Sequence, residues 1–136
     1  MKSIEERIEE AVGYKRQGYN CAQSVAMAFA EEAAADPSEI AKMTAAMGSG
    51  MCALGEICGV VSGMAVVCGL KGGDGSSKGK IAATKEARLL GKEFESRYGY
   101  LRCADLKRPG APVPCEELVA GGARMLHAHL YPSDCE

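Results

Sequence analysis

A large excess of either charge is missing: 16 Lys and Arg stand against 18 Asp and Glu in 136 residues, a formal net charge of −2. Without a broad positive field to draw phosphates, nucleic acid drops out as a leading partner. Long apolar runs are missing too. The longest uncharged stretch, Ile57 to Leu70, has fourteen residues, short of the ~18 that a membrane-spanning helix needs. It reads as a buried core helix, and membrane insertion is not expected. The start, Met1-Lys2-Ser3-Ile4-Glu5-Glu6-Arg7, has acids where an export signal needs an apolar stretch, so the expected location is the cytoplasm. Alternating strand patterns and internal repeats are absent, which removes β and solenoid architectures. Tryptophan is absent and phenylalanine occurs only twice.

What is present is a chain of one-domain length with 47% hydrophobic and 25% charged residues, the composition of a packed globular fold. Residues 1–136 are read as one domain. The pattern predicts an all-α bundle of five to six helices, with a glycine-rich loop before the central helix. Ser3 with Glu6 has capping-box spacing, and Ile4, Ile8, Ala11 and Val12 share one stripe of the first helix. Asn20 caps a second helix that places Cys21 in its first turn. Asp36-Pro37 opens a third, with Ile40, Met43 and Met47 on its inner face and a stop at Gly48.

Met47 to Gly59 reads as a glycine-rich irregular loop. The run from Cys58 to Leu70 is then helical, and Gly59 and Gly63 form a flat ridge on which another helix can lie. Lys71 to Lys80 is a linker. It lacks the Gly-Lys-Ser/Thr ending of a phosphate loop. A fifth helix spans about Lys80 to Tyr98, with Ala83, Ala87, Leu90, Phe94 and Tyr98 inward. Three prolines between Leu106 and Cys115 rule out regular helix there. A last helix covers Glu116 to Leu130, with Leu118, Val119, Met125 and Leu126 on its apolar side.

Seven cysteines, at 21, 52, 58, 68, 103, 115 and 135, are the feature that calls for chemistry. Seven is odd, and the cytoplasm keeps thiols reduced, so a disulfide scaffold is not expected. No Cys-x-x-Cys pair occurs, which removes the thioredoxin signature, paired zinc knuckles and the short-spaced ferredoxin run. Position is more informative than spacing. Cys21 and Cys58 fall at helix N-termini, where the helix dipole and free amides favour a thiolate. Cys115 stands just before another helix start, and Cys103 precedes the proline loop. Four cysteines on four segments could thus meet at one end of a bundle.

From Asn20 to Leu130 the chain resembles the C_GCAxxG_C_C family of redox-active proteins. The resemblance is carried by Asn20-Cys21, by the box Cys58-Gly59-Val60-Val61-Ser62-Gly63 with MAVVCGLKGG after it, by LRCADL around Cys103, and by Cys115-Glu116. Val60 departs from the family box, which has alanine there. The resemblance implies a redox or metal-centred role for Cys21, Cys58, Cys103 and Cys115. An iron–sulfur cluster is the first candidate cofactor and zinc the alternative. A redox partner protein or oxidoreductase is the expected partner, and a homo-oligomer is allowed.

Three functional readings stay open. The first is a cysteine-ligated iron–sulfur or other metal centre for electron transfer or redox sensing. The second is a metal-free thiol–disulfide oxidoreductase with Cys58 as nucleophile and Cys21, Cys52 or Cys103 resolving. The third is a non-catalytic helical interaction protein whose glycine ridge packs on another subunit. Cys68 reads as core and Cys135 as a terminal free thiol. His127 and His129 read as structural, Glu56 as facing solvent, and the methionines (Met27, Met43, Met47, Met64) as core filling.

Overall fold

A computed structural model describes residues 2–132. The helices are α1 (Ile4–Arg16), α2 (Cys21–Ala28), α3 (Ala30–Ala33), α4 (Pro37–Met43), α5 (Gly59–Gly72), α6 (Gly79–Tyr98), α7 (Cys103–Leu106) and α8 (Cys115–Leu130). Among the described residues there is no strand, only a lone antiparallel bridge between Ile57 and Arg102. The all-α class holds. The eight segments exceed the expected five to six for two reasons. Phe29, at φ −111° and ψ 23°, breaks the second helix into α2 and α3. The LRCADL segment coils into the single turn α7.

The caps form as their residue types require. Glu6 N–H donates to Ser3 Oγ at 3.1 Å while Ser3 N–H donates to Glu6 Oε1 at 3.1 Å. Asn20 and Gln23 repeat this exchange at the start of α2, at 2.8 and 3.0 Å. Each pair satisfies two amides that a helix start leaves without partners. The third helix is shorter than expected and ends at Met43, not near Gly48. Its inner face is Ile40 and Thr44, whose Oγ1 donates back to the Ile40 carbonyl at 2.7 Å. Met43 is left 48% exposed at the edge, because two turns of helix offer α2 only that narrow face.

Helix α5 packs against both α2 and α6, and α1 lies along α8. The glycine ridge sets the first of these contacts. A Cβ at Gly63 would stand 2.7 Å from the Ala22 carbonyl oxygen, and one at Gly59 would stand 2.9 Å from the Ala22 amide nitrogen. The backbone of α2 therefore lies directly on α5. The ridge is filled inside the chain, so the expected packing of another subunit on it does not apply.

One core contact escaped the periodicity. Arg7 lies on the inner side of α1 and is fully buried. Its Nη1 donates to the Ala28 carbonyl at 2.6 Å and to Glu32 Oε1 at 2.8 Å, and its Nη2 bonds Glu32 Oε2. Tyr131 Oη donates to the same carboxylate at 2.8 Å. The guanidinium also sits 4.3 Å from the Phe29 ring centre. A charge removed from water is tolerated here because it is paired and hydrogen-bonded on several sides.

Helix α6 buries only Leu90 and Phe94 outright, with Ala87 and Tyr98 partly covered. On α8 the expected Leu118, Val119, Met125 and Leu126 are all buried. Among the described residues no helix is long and apolar enough to cross a membrane.

Candidate functional site

The site is built from helix starts. Cys21 is the first residue of α2, Cys103 of α7 and Cys115 of α8, while Cys58 is the N-cap of α5. Asn20 anchors the first of these, its Nδ2 donating to the carbonyls of Thr44 at 3.2 Å and Ala45 at 3.1 Å. Residues 55–58 and 101–104 run past each other and fix the next two. Cys58 N–H donates to the Leu101 carbonyl at 2.8 Å, Cys103 N–H to the Glu56 carbonyl at 2.6 Å, and Ala104 N–H to the Gly55 carbonyl at 3.1 Å. The fourth cysteine follows Pro114, whose fixed φ ends the proline segment and starts α8.

All four thiols line one cavity of about 160 Å³, together with Lys15 and Lys107. Leu106 and Leu118 close its apolar side. Helix starts carry partial positive charge and amides without helical partners, so their convergence favours anionic sulfur.

The glycine-rich loop forms another wall. Ser49, Gly50, Met51, Cys52 and Ala53 all have left-handed backbone, with φ between 51° and 75°. Four of the five are not glycine, and such a conformation costs about 1–2 kcal/mol per residue. Backbone hydrogen bonds hold the turn, from Cys52 N–H to Ala46 O at 2.8 Å and from Ala53 N–H to Gly48 O at 3.0 Å. The turn brings Ser49 and Gly50 to the cavity. A Cβ at Gly50 would stand 2.8 Å from the Cys103 Cβ and 2.5 Å from the Glu56 nitrogen, so only glycine lets the loop lie against Cys103.

The thiols differ in acidity. Cys115 is held below the ordinary thiol value because Cys21 hydrogen-bonds to it, with further help from Lys107, against the opposing effect of burial. Cys21 is pushed up for the complementary reason: it is the donor to Cys115, and it is buried. Burial raises Cys58 to about 11, although the Val60 and Val61 amides pull the other way. Burial likewise raises Cys103. The low thiol pKa expected at Cys58 therefore falls on Cys115, because helix-start amides at Cys58 do not offset its removal from water.

Cys52 is exposed and is not among the residues lining the cavity. Cys68 is buried, and burial together with the Glu86 carboxylate raises it to about 12. Glu86 in turn pairs with Lys71 at 3.1 Å and with His129 Nε2 at 2.8 Å. His127 is buried beside Tyr131, ring centres 5.0 Å apart. Glu56 is exposed and pairs with Arg102 at 3.2 Å. Cys135 lies outside the described residues. Lys15 and Lys107 went unnoticed in the sequence, since a lysine near a cysteine carries no periodic signal. Lys107 is nevertheless four residues after Cys103, which is one turn of helix. Among the described residues, no three or more His, Cys, Asp or Glu are grouped so that they could hold a metal ion.

A family model described as "Putative redox-active protein (C_GCAxxG_C_C)" matches residues 19–129. The chain belongs to this family. The matched span opens just before Cys21 and closes near the end of α8, so it takes in all four cavity cysteines and leaves out the whole of α1. Membership of the C_GCAxxG_C_C family makes this a member of a redox-active group. No curated protein and no solved structure gives a significant match to the chain.

Proposed function

We propose that Cys21, Cys58, Cys103 and Cys115 work as one redox centre that holds an iron–sulfur cluster, used for electron transfer or redox sensing. The observation that carries this reading is the presence of all four family cysteines around one small cavity. The donor set suits the group, since four thiolates are the usual ligands of both two-iron and four-iron clusters. A single zinc ion suits it less. Its ligands would come from four separated segments, whereas zinc sites usually include at least one closely spaced pair. When bound, a cluster supplies one-electron transfer.

The chain's own residues supply the setting. The helix-start thiolates hold the group, Lys15 and Lys107 offset part of its negative charge, and Leu106 and Leu118 limit water. The same reading places the protein in the reducing cytoplasm, which keeps thiols free. Anaerobic purification and reconstitution followed by iron, sulfide and zinc analysis tests it. Stoichiometric iron and sulfide are expected, reduced by Cys→Ser at any of the four positions. A wild-type chain that takes up no metal after reconstitution refutes it.

A second reading is favoured by Cys21, Cys115 and Lys107 lining the same cavity, where Cys21 and Lys107 hold the Cys115 thiol below its ordinary value. Here the pair is a metal-free dithiol. The Cys115 thiolate attacks a disulfide, releasing one thiolate and forming a mixed disulfide. Cys21 then attacks Cys115 Sγ, its proton passing to the second leaving thiolate. The substrate gains two electrons and the protein gains a Cys21–Cys115 disulfide. Trapping a mixed disulfide at Cys115 in a Cys21→Ser variant supports this reading; trapping at Cys58 instead rejects it.

A further inference from the structure

We propose that the groove between α5 and α6 is the docking site for the redox partner, and that the partner presents an acidic amphipathic helix. This rests on the cysteine cavity being the redox centre. Val61 and Ala65 of α5, Ala87 of α6, and Leu101 form the apolar walls of an open groove of about 440 Å³. Arg88 and Lys92 stand along its rim, and both are exposed. Ile81, 55% exposed, continues the same side of α6 by helical spacing toward its N-terminus.

Gly91 is the first feature, and it gives the groove its room. A glycine inside a helix costs about 0.5–1 kcal/mol relative to alanine. A Cβ there would meet only Val61 Cγ1, at 3.8 Å, an ordinary contact. The missing side chain at 91 keeps the groove open.

Charge is the second argument. Helix α6 carries five Lys or Arg against three Glu, in a chain whose net charge is −2. One of those acids, Glu86, is already engaged by Lys71 and His129. An apolar groove with a basic rim selects an acidic helix that inserts apolar anchors, and long-range attraction speeds its arrival. Self-pairing of the same face would oppose like charges.

Position is the third. Val61 N–H donates to the Cys58 carbonyl at 3.0 Å, and Cys58 N–H donates to the Leu101 carbonyl at 2.8 Å. Two residues that wall the groove are thus bonded directly to the backbone of a cavity cysteine. A partner seated there would touch residues hydrogen-bonded to Cys58 without having to enter the cavity.

The test uses the full chain and a fluorescent fourteen-residue helical peptide, with leucines at one-turn spacing and glutamates on the flanks, read by anisotropy at low and physiological ionic strength. Saturable, salt-sensitive binding is expected. Gly91→Leu, which fills the groove, and the double change Arg88→Glu with Lys92→Glu should each weaken it at least about tenfold. Thermal melts check that the variants fold, and the charge variant decides the matter if Gly91→Leu does not. The variant with all four cavity cysteines changed to serine should bind the peptide as the wild type does.

Absence of binding at low salt overturns the proposal, as does binding that ignores both groove variants. Preference for anionic phosphatidylglycerol vesicles over the peptide also overturns it. So does self-association that the charge variant abolishes, which would assign the groove to a second copy. Metal analysis of the same preparations keeps the two claims apart. Metal uptake without peptide binding leaves the redox reading standing alone, and peptide binding without metal uptake leaves the groove standing alone.

Discussion

Gly63→Ala asks whether the α2–α5 contact positions the cysteines. The new methyl group would stand 2.7 Å from the Ala22 carbonyl oxygen and 3.2 Å from its Cα, whereas ordinary contact begins near 3.4 Å. The two helices must part by about 0.7 Å to admit it. Overpacking of this kind costs about 1–3 kcal/mol, while replacing a helical glycine with alanine returns about 1 kcal/mol. The net change is a loss of roughly 0–2 kcal/mol.

Gly69→Ala, in the same helix, supplies the control, since nothing lies within 4 Å of its added Cβ. It keeps the propensity gain without the clash. The difference between the two variants therefore isolates the steric cost, about 1–3 kcal/mol, and urea unfolding of both measures it. A difference under about 0.5 kcal/mol refutes the close backbone approach. Because Cys21 and Cys58 stand at the starts of the two parted helices, iron uptake should fall in Gly63→Ala and be unchanged in Gly69→Ala.

In the metal-free protein, Cys115 should be alkylated by iodoacetamide well below pH 9, the ordinary thiol value. Lys107→Met should move that onset upward, and an unmoved profile removes Lys107 from the site. Cys52→Ser should leave metal content and Cys115 reactivity unchanged, because Cys52 is exposed and the cavity is lined without it; a loss of either would bring it back into the centre. Acid should destabilise the fold through Glu32. Burial raises its pKa, but hydrogen bonds from Arg7 and Tyr131 outweigh that and hold it below the ordinary 4.5. Its stabilising share is therefore complete above about pH 4.5 and fades as pH falls through the lower folded value. Glu32→Ala, which strands the buried Arg7, should cost about 3–5 kcal/mol by urea unfolding; near-neutral stability argues against the buried pair.

Much of the helical layout was legible because it depends on local chemistry. Ser3 with Glu6, Asn20, and Asp36-Pro37 are helix starts in any setting, and the apolar spacing of α8 marks its buried face without reference to a partner. Met43 shows the limit. Its spacing from Ile40 fits an inner face, but α4 stops after two turns and Thr44 takes the inward place. Arg7 shows it again, since its burial depends on Glu32 and Tyr131, both far away in the chain. The left-handed turn at 49–53 was legible only as glycine-rich loop, because four of its residues are types that seldom adopt that backbone alone. Medium-range hydrogen bonds hold them there.

By itself the sequence determined an all-helical chain, the four cysteines of the redox family, and the placement of two of them at helix starts. Those follow from capping, spacing and motif, which act over a few residues. Only the tertiary structure decided that all four thiols face one cavity, that Lys15 and Lys107 join them, and that the depressed thiol is Cys115 and not Cys58. These depend on groups from α1, α2, α5, α7 and α8 brought within hydrogen-bonding or Coulombic reach. That reach is a matter of distance in space, which residue spacing along the chain does not encode.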